Sequence, residues 1–239
     1  MKNLISTLSK QELRDRIYAI LESCTNSEIK GTLFCIVLSR NSIFYSQDSI
    51  YEFQSDASVY KKNLLEQHFD FDPTISGNYI PAEVLNEIPE LKSFCKKVID
   101  SIHLILFKGK ESLTQYERCV FYDFFQDNLI LKITMELYVN SVNMGCKDAI
   151  DRAAEAVARL CAYLGIVNIL DDFKEMYKEL RKQYEVLLMS RALLVRKREI
   201  IPTRIRRNIA TVSYYEKHKI ELCEVYNTLF GTSIFKLVL

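Results

Sequence analysis

Apolar residues recur at three- and four-residue steps along most of the chain, the spacing of a helix face. Leu13, Ile17, Ile20, Leu21 and Cys24 form the first such row, and Asn26-Ser27 offers a cap for a second apolar stretch, Ile29 to Val37, expected to be helical. Residues 45–56 carry Ser, Asp and Gln without a period and read as a loop or short irregular segment. Val59 to His68 predicts a short amphipathic helix. Asp70 to Pro81, D-F-D-P-T-I-S-G-N-Y-I-P, concentrates turn-forming residues and marks a surface loop or subdomain break. Pro81 suits the first turn of a helix, and Pro89 the start of another running to about Phe107.

Lys108-Gly109-Lys110 punctuates the pattern. Leu113, Tyr116, Val120, Phe124, Leu131, Met135 and Tyr138 then keep a helical stripe, widened by Phe121, Phe125 and Leu129. So broad an apolar surface predicts one long helix over 113–138, buried on more than one side. From Val139 to Gly145 the period changes, and Val142 and Met144 alternate with Asn as in a short strand. A helix rich in small residues follows over 152–164, able to approach a neighbour closely, with Gly165 placed as its C-terminal cap. Phe173, Tyr177, Leu180, Tyr184 and Leu187 predict a further helix, which packs antiparallel to a neighbour or offers a coiled-coil-like surface. Asn208 to Leu229 reads as helical, ended by Gly231. The expected fold is a single mainly α domain over residues 1–239, with a minor strand component near 139–145. An α/β phosphatase-like sheet is the alternative.

Composition sharpens this picture in three ways. Six Gly and four Pro are few for a sheet-rich fold, which needs many turns. Lys plus Arg number 32 against 31 Asp plus Glu, so no global basic surplus points to nucleic acid. Seven Cys and three His are scattered without C-x2-C or C-x4-C spacing, so no zinc site, redox dithiol or resident cofactor is expected. Reduced, mostly buried thiols suit a cytoplasmic compartment. The N-terminus lacks the apolar core of a signal peptide, and no apolar run approaches the roughly 20 residues needed to span a bilayer.

One constellation carries chemistry. Residues 142–156, V-N-M-G-C-K-D-A-I-D-R-A-A-E-A, set Cys146 and Arg152 six positions apart, C-x5-R, and no other Cys has Arg at that offset. A tight loop opening a helix turns successive backbone N–H groups, from Lys147 to Arg152, toward one anion. That field lowers a thiol pKa, so Cys146 is the candidate nucleophile, and Arg152 supplies a two-pronged fork to phosphate oxygens. Thiolate attack on phosphorus would give a phosphocysteine that water hydrolyses.

C-K-D-A-I-D-R resembles the active-site loop of cysteine-based phosphatases, above all the phosphoinositide-directed branches. Asp before the Arg is similar to the myotubularin and Sac-type loops. Lys after the Cys is similar to inositide phosphatases that bacteria inject into host cells. The close resemblance covers about ten residues, and helical effector proteins of intracellular bacteria carry a similar block. The resemblance implies that Asp151 is the general acid, with Asp148 a weaker candidate, and that Lys147 contacts a highly phosphorylated head group. It also implies a place in a host-cell cytosol. Three positions depart from the family pattern: Ala149 stands for Gly, Ile150 for a second Lys, and Ala153 for Ser or Thr after the Arg.

Arg191 to Arg207 forms a second feature, with Arg196, Lys197 and Arg198 at its centre as candidate contacts to an anionic membrane or head group. The same run also reads as a solvated helix face with a loop at Pro202. The leading expectation is therefore a phosphatase-like domain acting on phosphorylated inositol lipids or another phosphate monoester, with peripheral membrane contact. The alternative, motivated by Ala149, Ile150 and Ala153, is a catalytically inactive helical module that binds a host protein or an anionic membrane.

Overall fold

The computed structural model describes residues 36–40, 42–70, 76–139, 141–142, 144, 151–168 and 173–231. Most of these are helical, and the fold is mainly α. Among the described residues the β pairings are two isolated antiparallel bridges, Val37 with Tyr79 and Asp56 with Ser112. The chain divides into two compact units, Met1–Asp100 with Lys110–Tyr138 and Ser101–Gly109 with Val139–Leu239.

The first unit contains α1 (Ile43–Ser46), α2 (Ala57–Phe69), α3 (Ala82–Glu87), α4 (Leu91–Ser101, whose last residue opens the second unit) and α5 (Gln115–Glu136). Side chains set the starts of several. Asp56 Oδ1 accepts the Val59 N–H at 2.8 Å and caps α2. At α5 a capping box forms: Thr114 Oγ1 accepts the Glu117 N–H at 3.2 Å, and Glu117 Oε2 accepts the Thr114 N–H at 2.8 Å. The expected helix over 113–138 is present, and Phe121, Tyr122, Phe124, Phe125 and Leu129 are fully buried along it.

Helix α5 also buries Arg118, Asp123, Gln126, Asp127 and Asn128, which an amphipathic reading would leave in water. Arg118 shows how this is sustained. Its guanidinium donates to Gln47 Oε1 at 2.8 Å and to the carbonyls of Leu113 (2.6 Å), Tyr51 (2.9 Å) and Glu52 (3.0 Å). A buried cation with every prong engaged ties down the irregular segment 47–52, including the short 3-10 turn Ser49–Tyr51.

The second unit contains a π-helical turn Ile102–Leu106, then α6 (Arg152–Asn168), α7 (Phe173–Arg196), α8 (Pro202–Lys217) and α9 (Lys219–Phe230). Helix α6 packs against α7, α8 and α9. Its Ala154, Ala158 and Ala162 meet Tyr184, Leu188 and Ala192 of α7, with Ile200 and Val212 completing the cluster. Methyl-sized side chains let the helix axes come close.

Several expectations need correction. Val37 lies in a β-bridge, its N–H donating to the Tyr79 carbonyl at 2.9 Å and its carbonyl accepting at 2.8 Å, so the helix expected to reach it does not. Residues 1–35 lie outside the described residues. Val139, Ser141, Val142 and Met144 carry no strand; they pair with no edge, and alternation alone does not form a ladder. Gly165 does not cap α6, which continues through buried Ile166 and Val167 to Asn168. The segment 208–229 breaks at His218 into α8 and α9, and α8 begins at Pro202 rather than beyond a loop there. The break considered at 70–81 falls inside the first unit, and residues 71–75 are outside the described ones.

Candidate functional site

Helix α6 begins at Arg152, the last residue of the C-x5-R segment. Cys146, Lys147, Asp148, Ala149 and Ile150 lie outside the described residues, so the structure bears on Asp151, Arg152 and the basic run alone. Asp151 stands immediately before the helix, its carbonyl accepting the Glu155 N–H at 3.0 Å. A carboxylate in that position is favoured by the positive end of the helix dipole. Arg152 is partly exposed in the first turn.

The Asp151 carboxylate and the Arg198 guanidinium form a two-pronged pair. Arg198 Nη1 donates to Oδ1 at 3.0 Å and Nη2 to Oδ2 at 2.8 Å. The Ile201 N–H also points to Oδ1, at 3.4 Å, and Arg198 Nη1 donates in addition to the Glu199 carbonyl at 2.7 Å. The hydrogen bonds from Arg198, opposed by partial burial and reinforced by the charges of Arg198 and Arg204, hold the Asp151 carboxyl below its ordinary range. Two of the candidate site residues, 47 positions apart in the sequence, are thus brought together as an ion pair. In this arrangement both carboxylate oxygens of Asp151 accept from Arg198.

A second rung lies one helical turn further on. Arg204 Nη1 meets Glu155 Oε2 at 3.3 Å, with the Glu155 side chain fully buried. Asn208 Nδ2 donates to the Glu155 carbonyl at 2.9 Å, and the Tyr184 hydroxyl donates to Asn208 Oδ1 at 2.6 Å. Burial, then the charges of Glu155 and Glu216, push the Tyr184 phenol upward, so it stays a donor. Arg159, one turn beyond Glu155, is fully buried. Asp151, Glu155 and Arg159 recur every fourth residue and so share one face of α6. That row of charges inside a helix of Ala residues is the sequence signal for this ladder.

Lys197 is exposed at the end of α7, with a left-handed backbone (φ 50°), and the backbone of Arg196 closes that helix. The run 191–207 is therefore not uniformly solvated: Arg198 and Arg204 are bound to the carboxylates of Asp151 and Glu155, while Lys197 and Arg206 are exposed. Among the described residues no group of His, Cys, Asp and Glu is arranged to hold a metal, and no helix is long and apolar enough to cross a membrane. The described cysteines Cys95, Cys119, Cys161 and Cys223 are free thiols, and burial raises the pKa of Cys95 and Cys223. No protein-family model matches the chain, and no curated protein and no solved structure is significantly similar to it.

Proposed function

We propose that the chain is a helical interaction module whose phosphatase-like C-x5-R segment does not turn over phosphate esters. The observation that carries this reading is the Asp151–Arg198 pair. A general acid must hold a proton at the working pH, whereas Arg198 keeps the Asp151 carboxyl ionised. The same pair commits Arg198, a candidate ligand contact, to a carboxylate of the protein itself. Ala153 in place of a hydroxyl residue after Arg152 supports the reading further, since no side-chain donor follows the Arg to assist the sulfur.

A second reading, a working cysteine-based phosphatase acting on phosphoinositides or another phosphate monoester, draws on the start of α6 at Arg152. A partly exposed Arg in the first turn of a 17-residue helix is where an anion clamp would sit.

Phosphate release from a panel of phosphoinositides and an aryl phosphate separates the two. The module reading expects wild-type release no greater than that of Cys146→Ser, whose hydroxyl is a far weaker nucleophile. Release by the wild type that Cys146→Ser abolishes would overturn it in favour of the phosphatase.

A further inference from the structure

The exposed part of the basic run adjoins apolar side chains that the fold leaves in water. Among its described side chains, helix α7 buries Tyr184, Leu188 and Ala192, at four-residue steps. Beyond Ala192 the pattern ends: Leu193, Leu194 and Val195 are 49%, 80% and 66% exposed. Consecutive residues on a helix point about 100° apart, so these three cover more than half of its circumference. A partner helix would call for a stripe at three- and four-residue spacing. Apolar exposure over more than half of a helix end instead suits insertion of a tip into a soft apolar medium.

Charge identifies the medium. Arg196, Lys197 and Arg198 follow at once, and Ile201, 40% exposed, closes the connection to α8. Residues 191–207 hold seven cations against Glu199 alone, and the segment keeps a positive surplus even when Asp151 and Glu155 are counted against it. Apolar side chains beside cations match the two layers of a bilayer face, acyl chains beneath anionic head groups. The Arg198–Asp151 pair braces the connection against the start of α6.

We infer that the end of α7 and the connection to α8 dock the protein onto an anionic lipid bilayer, with Leu193, Leu194 and Val195 entering the head-group boundary and Lys197 meeting lipid phosphates. This rests on the reading of the chain as an interaction module and names its partner.

Sedimentation of the full chain with phosphatidylcholine vesicles, with and without phosphatidylserine, tests it. Wild type should bind the anionic vesicles in low salt and the neutral ones far less. The triple variant Leu193→Gln, Leu194→Gln, Val195→Gln, whose replaced side chains are outside the core, should keep its circular dichroism and lose at least about tenfold in partitioning. Lys197→Gln should lose about fivefold in low salt and less as salt rises. Failure of the wild type to bind anionic vesicles, equal binding to neutral ones, or wild-type binding by the triple variant would each overturn the inference. Phosphate release measured in parallel reports on the module reading separately: turnover would overturn that reading, whatever the vesicles show.

Discussion

His68, in α2, packs its ring against Phe125 and Tyr122 of α5, with ring centroids 4.9 and 5.6 Å apart. Its Nδ1–H donates to the Leu64 carbonyl at 2.9 Å, which fixes a neutral tautomer. Burial lowers its pKa to about 4, only partly offset by that hydrogen bond. The sign follows from where the proton binds first. On acidification the unfolded chain takes up a proton near pH 6.5, the folded chain only near pH 4, so stability falls across that window by about 3 kcal/mol. Asp151 acts lower: its depressed pKa gives stability present above the ordinary value of 3.8 and lost only as pH falls through the folded value. Urea unfolding of His68→Phe should therefore show a flatter dependence on pH between about 6.5 and 4 than the wild type. An unchanged slope would mean that other groups carry it. At this scale the sequence was partly legible. The C-x5-R spacing picks out Arg152 and the family resemblance points to Asp151, but the partner of Asp151 lies 47 residues away, and no local pattern discloses a contact made by tertiary packing. Arg118 was hidden for the same reason, since its four acceptors belong mostly to segments far along the chain.

Helices α5 and α6 follow from the chain's periodicity because packing and propensity agree there. A wide aromatic surface makes α5 central, and a run of Ala makes α6 a close-packing helix. Where the two disagreed, packing prevailed. Gly165 costs roughly 1 kcal/mol relative to Ala inside a helix, yet burial of Ile166 and Val167 carries α6 past it. The break at His218 has no Gly or Pro to announce it; its N–H donates to the carbonyls of Tyr214 and Tyr215, ending α8 before α9 begins. The π turn over 102–106 is equally silent in the sequence. Close approach of α6 to α7 rests on Ala154, Ala158 and Ala162. Ala158→Leu should cost about 1–3 kcal/mol, read as a lower urea midpoint at unchanged m-value, because the extra carbons meet Tyr184, Leu188 or their neighbours. A midpoint at or above that of wild type would mean the interface is not close-packed there.

For the whole molecule, mainly α architecture in two compact units was foreshadowed by the scarcity of Gly and Pro, although the division itself was not. The first unit passes between Asp100 and Lys110, where nine residues, Ser101–Gly109, join the second unit. Such an exchange depends on contacts between distant segments, which periodicity does not encode. The functional reading turns on the second unit, where Asp151 and Glu155 hold Arg198 and Arg204 of the basic run while Lys197 and Arg206 are exposed. There, Asp151 is proposed to be an ionised partner of Arg198 and not a proton donor. Titration of the Asp151 side-chain carboxyl by carbon-detected NMR, in the wild type and in Arg198→Ala, separates the two roles. The wild-type midpoint should lie below the ordinary aspartate value of about 3.9 and rise toward it when Arg198 is removed. A wild-type midpoint shifted upward toward neutrality, unmoved by Arg198→Ala, would instead mark Asp151 as a proton donor independent of Arg198.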